Sequence, residues 1–328
     1  MFQNKINITT IGGGTGTYNV LSGLRGNESY NLAAIVTMSD SGGSTGVLRD
    51  EFGVLPPGDI RRAILALSNE SDILRKLFEY RFDKKSSVSG HTVGNLLLTA
   101  LADITGDFGD GIKEINKMFK VQGKVIPVTM EQSNLCVKLE NGQEVCGESN
   151  IDVPLHDPTL RIIEAYLEPQ PQVNPVAKNS LENSDIIVVG PGDLYTSIIP
   201  NLLVTGVKDA VKNSNAKVVY FCNIMTKLGE TNDFEVLDFV NEMEKYIGEG
   251  VIDYVVVNNG YISDEMTERY KKIESKKPVK LKDSDRDIIT QKGIHVVERD
   301  LLHEQDYVRH SSKKIASFLD DLVDGWVR

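Results

Sequence analysis

Residues 5–24 constrain the fold more than any other stretch. A short apolar strand, a run of glycines and a helix follow one another there without a break. Ile6, Ile8 and Ile11 give the strand its character; Gly12, Gly13, Gly14 and Gly16 come next, with Thr15 and Thr17 among them. Val20, Leu21 and Leu24 then recur at helical spacing. A glycine turn between a parallel strand and a helix lets backbone N–H groups approach an anion at the positive end of the helix. The reading is a phosphate cradle, with tight strand–helix packing as the plain alternative. The dinucleotide fingerprint Gly-x-Gly-x-x-Gly is incomplete, because Thr17 stands where its third glycine belongs.

The rest of the chain repeats the strand-then-turn pattern. Further strands are predicted at residues 31–38, 185–189, 217–222, 253–257 and 294–297, each apolar and bounded by turn residues. Pro56-Pro57-Gly58-Asp59 opens a helix with Ile60, Ile64 and Leu67 on one face, and further helices are predicted at 71–82, after His91, and at 111–119. So many helices between early strands exceed a minimal crossover and predict a helical insertion. Residues 125–152, with short alternating runs and an Asn141-Gly142 turn, predict a small antiparallel extension. Residues 271–292 read as a charged, solvated connection, and 312–327 as a closing helix. The expected organisation is a single α/β domain: a first half over 1–122 with the insertion, the extension over 123–180, and a second half over 181–328.

A net charge of −11 over 328 residues excludes a general nucleic-acid or anionic-membrane surface, though not a small basic pocket. No apolar run approaches the roughly 20 residues that a membrane helix needs, and the N-terminus enters a strand directly, with no leader visible. The expected compartment is the cytoplasm. Cys136, Cys146 and Cys222 are few and odd in number, which fits a reducing setting. With Asn141-Gly142 as a two-residue turn, Cys136 would face Gly147 and Cys146 would face Val137, which disfavours a disulfide between them.

Gly12–Gly16, residues 40–46, Gly190-Pro191-Gly192, Asn223 and Asn258-Asn259-Gly260-Tyr261 all fall just past the carboxyl end of a predicted strand. Ligands of open parallel sheets bind along that edge, so a phosphorylated small ligand is expected there. Asp40 suits ribose hydroxyls or a Mg²⁺ ion held against a diphosphate; a helix cap is its plain alternative. Asp59 reads as a cap. Arg61 either closes the anion site with its planar fork or lies with Arg62 on a solvated face. His91, ahead of Asn95 at a helix start, suits a proton donor, a phosphate ligand or a structural histidine. Ser197 lacks the Gly-x-Ser-x-Gly elbow of a hydrolase.

Several strings in order resemble one family. They are Gly12-Gly13-Gly14-Thr15-Gly16, Met38-Ser39-Asp40-Ser41-Gly42-Gly43-Ser44-Thr45-Gly46, Pro56-Pro57-Gly58-Asp59-Ile60-Arg61, and His91 through Asn95-Leu96-Leu97-Leu98. Gly190-Pro191-Gly192, the run from Leu194 through Ser197 to Leu203, Asn223-Ile224-Met225-Thr226 and Asn258-Asn259-Gly260 continue the series. Over essentially its whole length the chain resembles the bacterial gluconeogenesis (morphogenesis) factor family, relatives of 2-phospho-L-lactate transferase. The resemblance implies a doubly wound, mostly parallel, Rossmann-like three-layer fold. It implies a cytoplasmic protein that binds UDP-sugars, notably UDP-N-acetylglucosamine, and supports cell shape during gluconeogenic growth. In the transferase branch, the acidic residue matching Asp40 helps to hold Mg²⁺ beside a nucleotide diphosphate donor. That branch has further acidic residues after it, where this chain has Ser41-Gly42-Gly43. Tyr261 and Arg309 match positions implicated in nucleotide-sugar binding, and Asp193 and Lys227 replace an expected Ser and Gln. Neither a protein partner nor the oligomeric state is legible, and a homo-oligomer stays open.

Overall fold

The computed structural model describes residues 5–83, 88–273, 275–304 and 307–327. In chain order, β1 (Ile6–Gly12), α1 (Gly14–Leu24) and β2 (Tyr30–Val36) are followed by α2 (Gly43–Phe52), α3 (Pro57–Leu67), α4 (Asp72–Glu79), α5 (Val93–Thr105) and α6 (Phe108–Met118). Next come β3 (Lys124–Pro127), β4 (Asn134–Leu139), β5 (Glu144–Cys146), α7 (Glu148–Asp152), β6 (Ile162–Glu168), β7 (Ile186–Val189), β8 (Lys217–Phe221), β9 (Tyr254–Asn258) and β10 (His295–Arg299). Strands β11 (Leu302–Glu304) and β12 (Val308–His310) form a small ribbon before the closing helix Ser312–Val327.

The main sheet has seven strands in the order β10-β9-β8-β7-β1-β2-β3, all parallel. Its central strands are buried on both faces: Ile186, Ile187, Val188 and Val189 have no exposed surface, nor do Ile8 and Ile11 of β1. That two-sided burial explains why these strands read as continuous apolar runs. The chain builds outward through β2 and β3, then returns to place β7 on the other side of β1. The strand order therefore reverses between β1 and β7, and there the turns after the two strands part to leave a crevice. This is the doubly wound α/β fold, with helices α2–α6 as the insertion.

Three local expectations are corrected. Residues 125–127 belong to β3 on the edge of the main sheet, paired parallel to β2, so the antiparallel extension is only β5-β4-β6. The 271–292 stretch contains a helix, Asp283–Gln291, with Ile289 buried beneath it. The hairpin closes through Glu140, Asn141 and Gly142, with Leu139 opposite Gln143 and Gly142 at φ +85°. One extra residue in that connection shifts the register, places Cys136 directly across from Cys146 and joins them in a disulfide. Cys222 is free and buried.

Candidate functional site

The loops after β1 and β7 touch. A Cβ at Gly16 would lie 1.8 Å from the Pro191 carbonyl oxygen, so only glycine allows this approach. Backbone bonds draw the neighbouring turns in: Gly190 N–H donates to Ile11 O at 3.0 Å and Thr37 N–H to Gly12 O at 3.3 Å. The Asn223 side-chain amide, after β8, donates to Gly192 O at 2.8 Å. Four strand-end turns thus converge on one crevice.

That crevice divides into two adjoining cavities. The larger, about 600 Å³, is lined by Gly13–Gly16, Asp40, Gly42 to Thr45, Gly58, Asp59, Arg61, Arg62, Arg81, Asn95, Glu148, Ser149, Asp152, Gly192, Asp193, Thr196 and Ser197, with Val153 at its edge. The smaller, about 170 Å³, shares Thr15, Gly16, Gly192 and Asp193 with it and adds Asn19, Pro191, Asn223, Thr226, Lys227, Arg309 and His310 among others. Asn223 Oδ1 is buried at this second cavity without a partner, an acceptor open to a ligand's donor.

Five carboxylates line the larger cavity, and three of them, Asp40, Asp59 and Glu148, lie near enough to act on one another's charge. Asp40 accepts from Gly42 N–H at 2.9 Å, and its other oxygen lies against Gly58. Asp59, in the first turn of α3, is buried and packed against Gly13, with Arg62 at 3.5 Å. Glu148 arrives on α7, from the small sheet, and faces Ser41 N–H at 3.4 Å. Burial, then the neighbouring charge of Asp40, raises Asp59 to about 6. Burial with the charges of Asp40 and Asp152 raises Glu148 to about 8, and burial also raises Asp40. The donor set is all oxygen, the ligand type of a small hard cation such as Mg²⁺, but the three do not form a group with carboxylate oxygens within 4.8 Å of one another.

A second acidic group, Asp152, Asp193 and Glu230, has oxygens close enough for a metal. Lys227 fills that role. Its ammonium meets Asp193 and Glu230 at 2.8 Å each and also pairs with Asp152. Burial works against this charge, but the three carboxylates outweigh it and hold the lysine above its ordinary range. Glu230 in turn accepts from Tyr195 N–H and the Thr196 hydroxyl, both at 3.0 Å, which fixes the turn 193–197.

Of the remaining sequence candidates, several support the site from behind. Ser41 pins α7 through Ser149, and Ser39 bonds Thr37 beneath the loop. His91 lies outside the lining, and its Nδ1 meets Ser44 Oγ at 3.0 Å. Thr226 lines the smaller cavity while accepting from Lys277 N–H. Asn258, Asn259, Gly260 and Tyr261 line neither cavity. Asn258 instead ties its own turn, accepting from Leu301 N–H at 2.9 Å, and Tyr261 is 75% exposed. Sequence reasoning missed Glu148, Asp152 and Arg81 altogether. Their strings carry no motif, and only the packing of α7 and the start of α5 brings them in.

The family described as 2-phospho-L-lactate transferase CofD matches residues 8–302. The gluconeogenesis factor of Bacillus subtilis is 39% identical over 97% of this chain and 98% of its own. The gluconeogenesis factor of Listeria monocytogenes is 37% identical over 97% of this chain and 95% of its own. A crystal structure of a Bacillus halodurans protein, 37% identical, superposes with a TM-score of 0.90 over 96% of this chain and 99% of that one.

Proposed function

The chain belongs to the 2-phospho-L-lactate transferase CofD family, and from that premise we propose that it is a Mg²⁺-dependent transferase. It binds a nucleoside diphosphate donor across the two cavities and moves the phosphorylated group which that donor carries. One observation carries the reading: Asp40, Asp59 and Glu148 line the same cavity as a phosphate-type glycine loop, with protonation equilibria displaced upward.

The backbone N–H groups opening α1 receive the diphosphate, and no acidic residue in the first turn of that helix opposes it. Arg62 stands beside Gly14 and neutralises the same charge. The nucleoside occupies the smaller cavity, with Asn223 Oδ1 as its acceptor and Arg309 at its rim. Asp40 and Glu148 would supply carboxylate oxygens to Mg²⁺, which would neutralise charge developing on the diphosphate. Asp59, held near 6, is suited to take the proton of the acceptor hydroxyl. The acceptor oxygen bonds to phosphorus as the bond from phosphorus to the nucleotide breaks.

A second reading, UDP-sugar binding without transfer in support of cell shape, is favoured by the full-length similarity to gluconeogenesis factors. The Ser41-Gly42-Gly43 run after Asp40, which brings no further carboxylate, also favours it. Calorimetric titration with GDP, UDP and UDP-N-acetylglucosamine, with and without Mg²⁺, combined with ³¹P NMR of the mixtures, separates the two. With UDP-N-acetylglucosamine as donor and an acceptor present, a new diester signal together with released UMP supports transfer, and binding without turnover supports the second reading. No binding of any nucleotide removes both.

A further inference from the structure

The larger cavity holds a group that neither a diphosphate nor its cation uses. Arg61 is 7% exposed and lines that cavity, but not the smaller one. Its Nε donates to Asn95 Oδ1 at 3.0 Å. Among the described residues, no carboxylate forms an ion pair with its guanidinium and no protein acceptor takes its Nη hydrogens. Burial, then the like charge of Arg62, presses it down to about 10, against the pull of Glu79, which outweighs the repulsion of Arg81, and the smaller pull of Asp59. Both other arginines line the same cavity. A desolvated guanidinium among like charges is unfavourable unless an anion completes it.

The arginine is also held in place. Asn95 Nδ2 donates to Ser44 Oγ at 3.1 Å, Ser44 Oγ meets His91 Nδ1 at 3.0 Å, and Asn95 N–H is capped by Thr92 Oγ1 at 3.2 Å. A Cβ at Gly94 would lie 2.6 Å from Arg61 Cδ, so α5 leaves room for this side chain only where it carries glycine. The chain Arg61–Asn95–Ser44–His91 grips the Nε side of the fork and leaves the Nη pair to a ligand. A planar fork with two free donors matches a carboxylate or a phosphate.

We propose that Arg61, with Arg81 beside it, forms a second anion subsite separate from the glycine loop. It receives a carboxylate or phosphate of one of the reacting molecules, in addition to the diphosphate at the glycine loop. The subsite rests on the transferase reading for its role in the reaction, whereas anion binding at Arg61 is measurable without any nucleotide.

The test is calorimetric titration of the full chain with phosphoglycolate, methyl phosphate and glycolate, using wild type, Arg61→Gln and Arg61→Lys. GDP with Mg²⁺ is titrated into wild type as a separate readout. Phosphoglycolate is expected to bind wild type and to bind both variants about tenfold more weakly or worse, since a lysine lacks the paired donors. Methyl phosphate binding that weakens in Arg61→Gln supports the subsite and identifies phosphate as the recognised group; glycolate binding that weakens in the same variant supports it and identifies carboxylate. Equal phosphoglycolate affinity in all three proteins overturns the proposal, as does failure of all three anions to bind wild type. Should Arg61→Gln fail to fold by circular dichroism, the exposed Arg81→Gln decides: several-fold weaker phosphoglycolate binding supports the subsite, and unchanged binding overturns it. Absence of GDP binding alongside intact anion binding removes the nucleotide reading alone.

Discussion

The carboxylate of Asp59 lies against the backbone of Gly13 so closely that a Cβ at residue 13 would stand 2.4 Å from Oδ2. The first turn of α3 and the glycine loop after β1 are thus fitted to one another. Gly13→Ala must displace Asp59, with Thr37 Cγ2 closing the other side at 3.1 Å. Overpacking of this kind costs about 1–3 kcal/mol. The variant is expected to lose that much stability in urea and about 100-fold or more in turnover. Unchanged turnover would separate Asp59 from the site.

The raised carboxyls make stability depend on pH in a defined direction. Glu148 moves from 4.5 to about 8 and Asp59 from 3.8 to about 6 on folding. In those windows the folded chain retains protons that the unfolded chain has lost, so these two groups lower stability as pH rises from about 4 to about 8. Bound Mg²⁺ favours the ionised forms, and its stabilising effect is expected to grow over the same range. Melting temperatures at pH 5, 6.5 and 8, with and without MgCl₂, check this. Glu148→Gln should flatten the slope above pH 6, and a Mg²⁺ effect that is the same at pH 5 and pH 8 would contradict the assignment.

Lys227 is the counter-ion of a buried carboxylate. Its side chain is 14% exposed and that of Glu230 is fully buried. Lys227→Met leaves Glu230 without its charge partner, at an expected cost of about 3–5 kcal/mol in chemical denaturation. Lys227→Met combined with Glu230→Gln should recover part of that loss. A double variant no more stable than the single one would show that the pair is not coupled.

Thiol titration reports the hairpin. Unfolded without reductant, the chain is expected to show one reactive thiol, Cys222, and three after reduction. The bridge spans a sequence separation of 10, and a loop of that size is worth about 2–3 kcal/mol. Cys146→Ser should therefore lower stability by that order. Three thiols before reduction would sink the pairing.

Most main-sheet strands, their order of appearance and the turns that line the crevice were legible in the sequence, because each depends on neighbours in the chain. Apolar runs ending in Gly12–Gly16, Asp40–Gly46, Gly190–Gly192 and Asn223 mark strand ends whatever the rest of the molecule does. Glu148 gave no such signal, since it reaches the cavity through the docking of β5 and α7 against Ser41. Nor did Arg61: helical spacing alone leaves it on a face that either solvent or protein can cover, and α5 covers it. The hairpin register turned on one residue: Gly142 takes a positive φ while Asn141 does not, which closes a three-residue connection and sets Cys136 against Cys146.

By itself, then, the sequence determined an α/β chain with glycine- and amide-bearing turns at its strand ends, because local propensity and periodicity are short-range. Only the tertiary structure decided which of those turns share a crevice and which charged side chains close it. Convergence depends on strand order: β7 returns beside β1, so Gly16 meets Pro191, while the Asn258 turn stays outside both cavities. The displaced protonation of Asp59 and Glu148 likewise arises from burial and from charges distant in the chain, neither of which a linear pattern records.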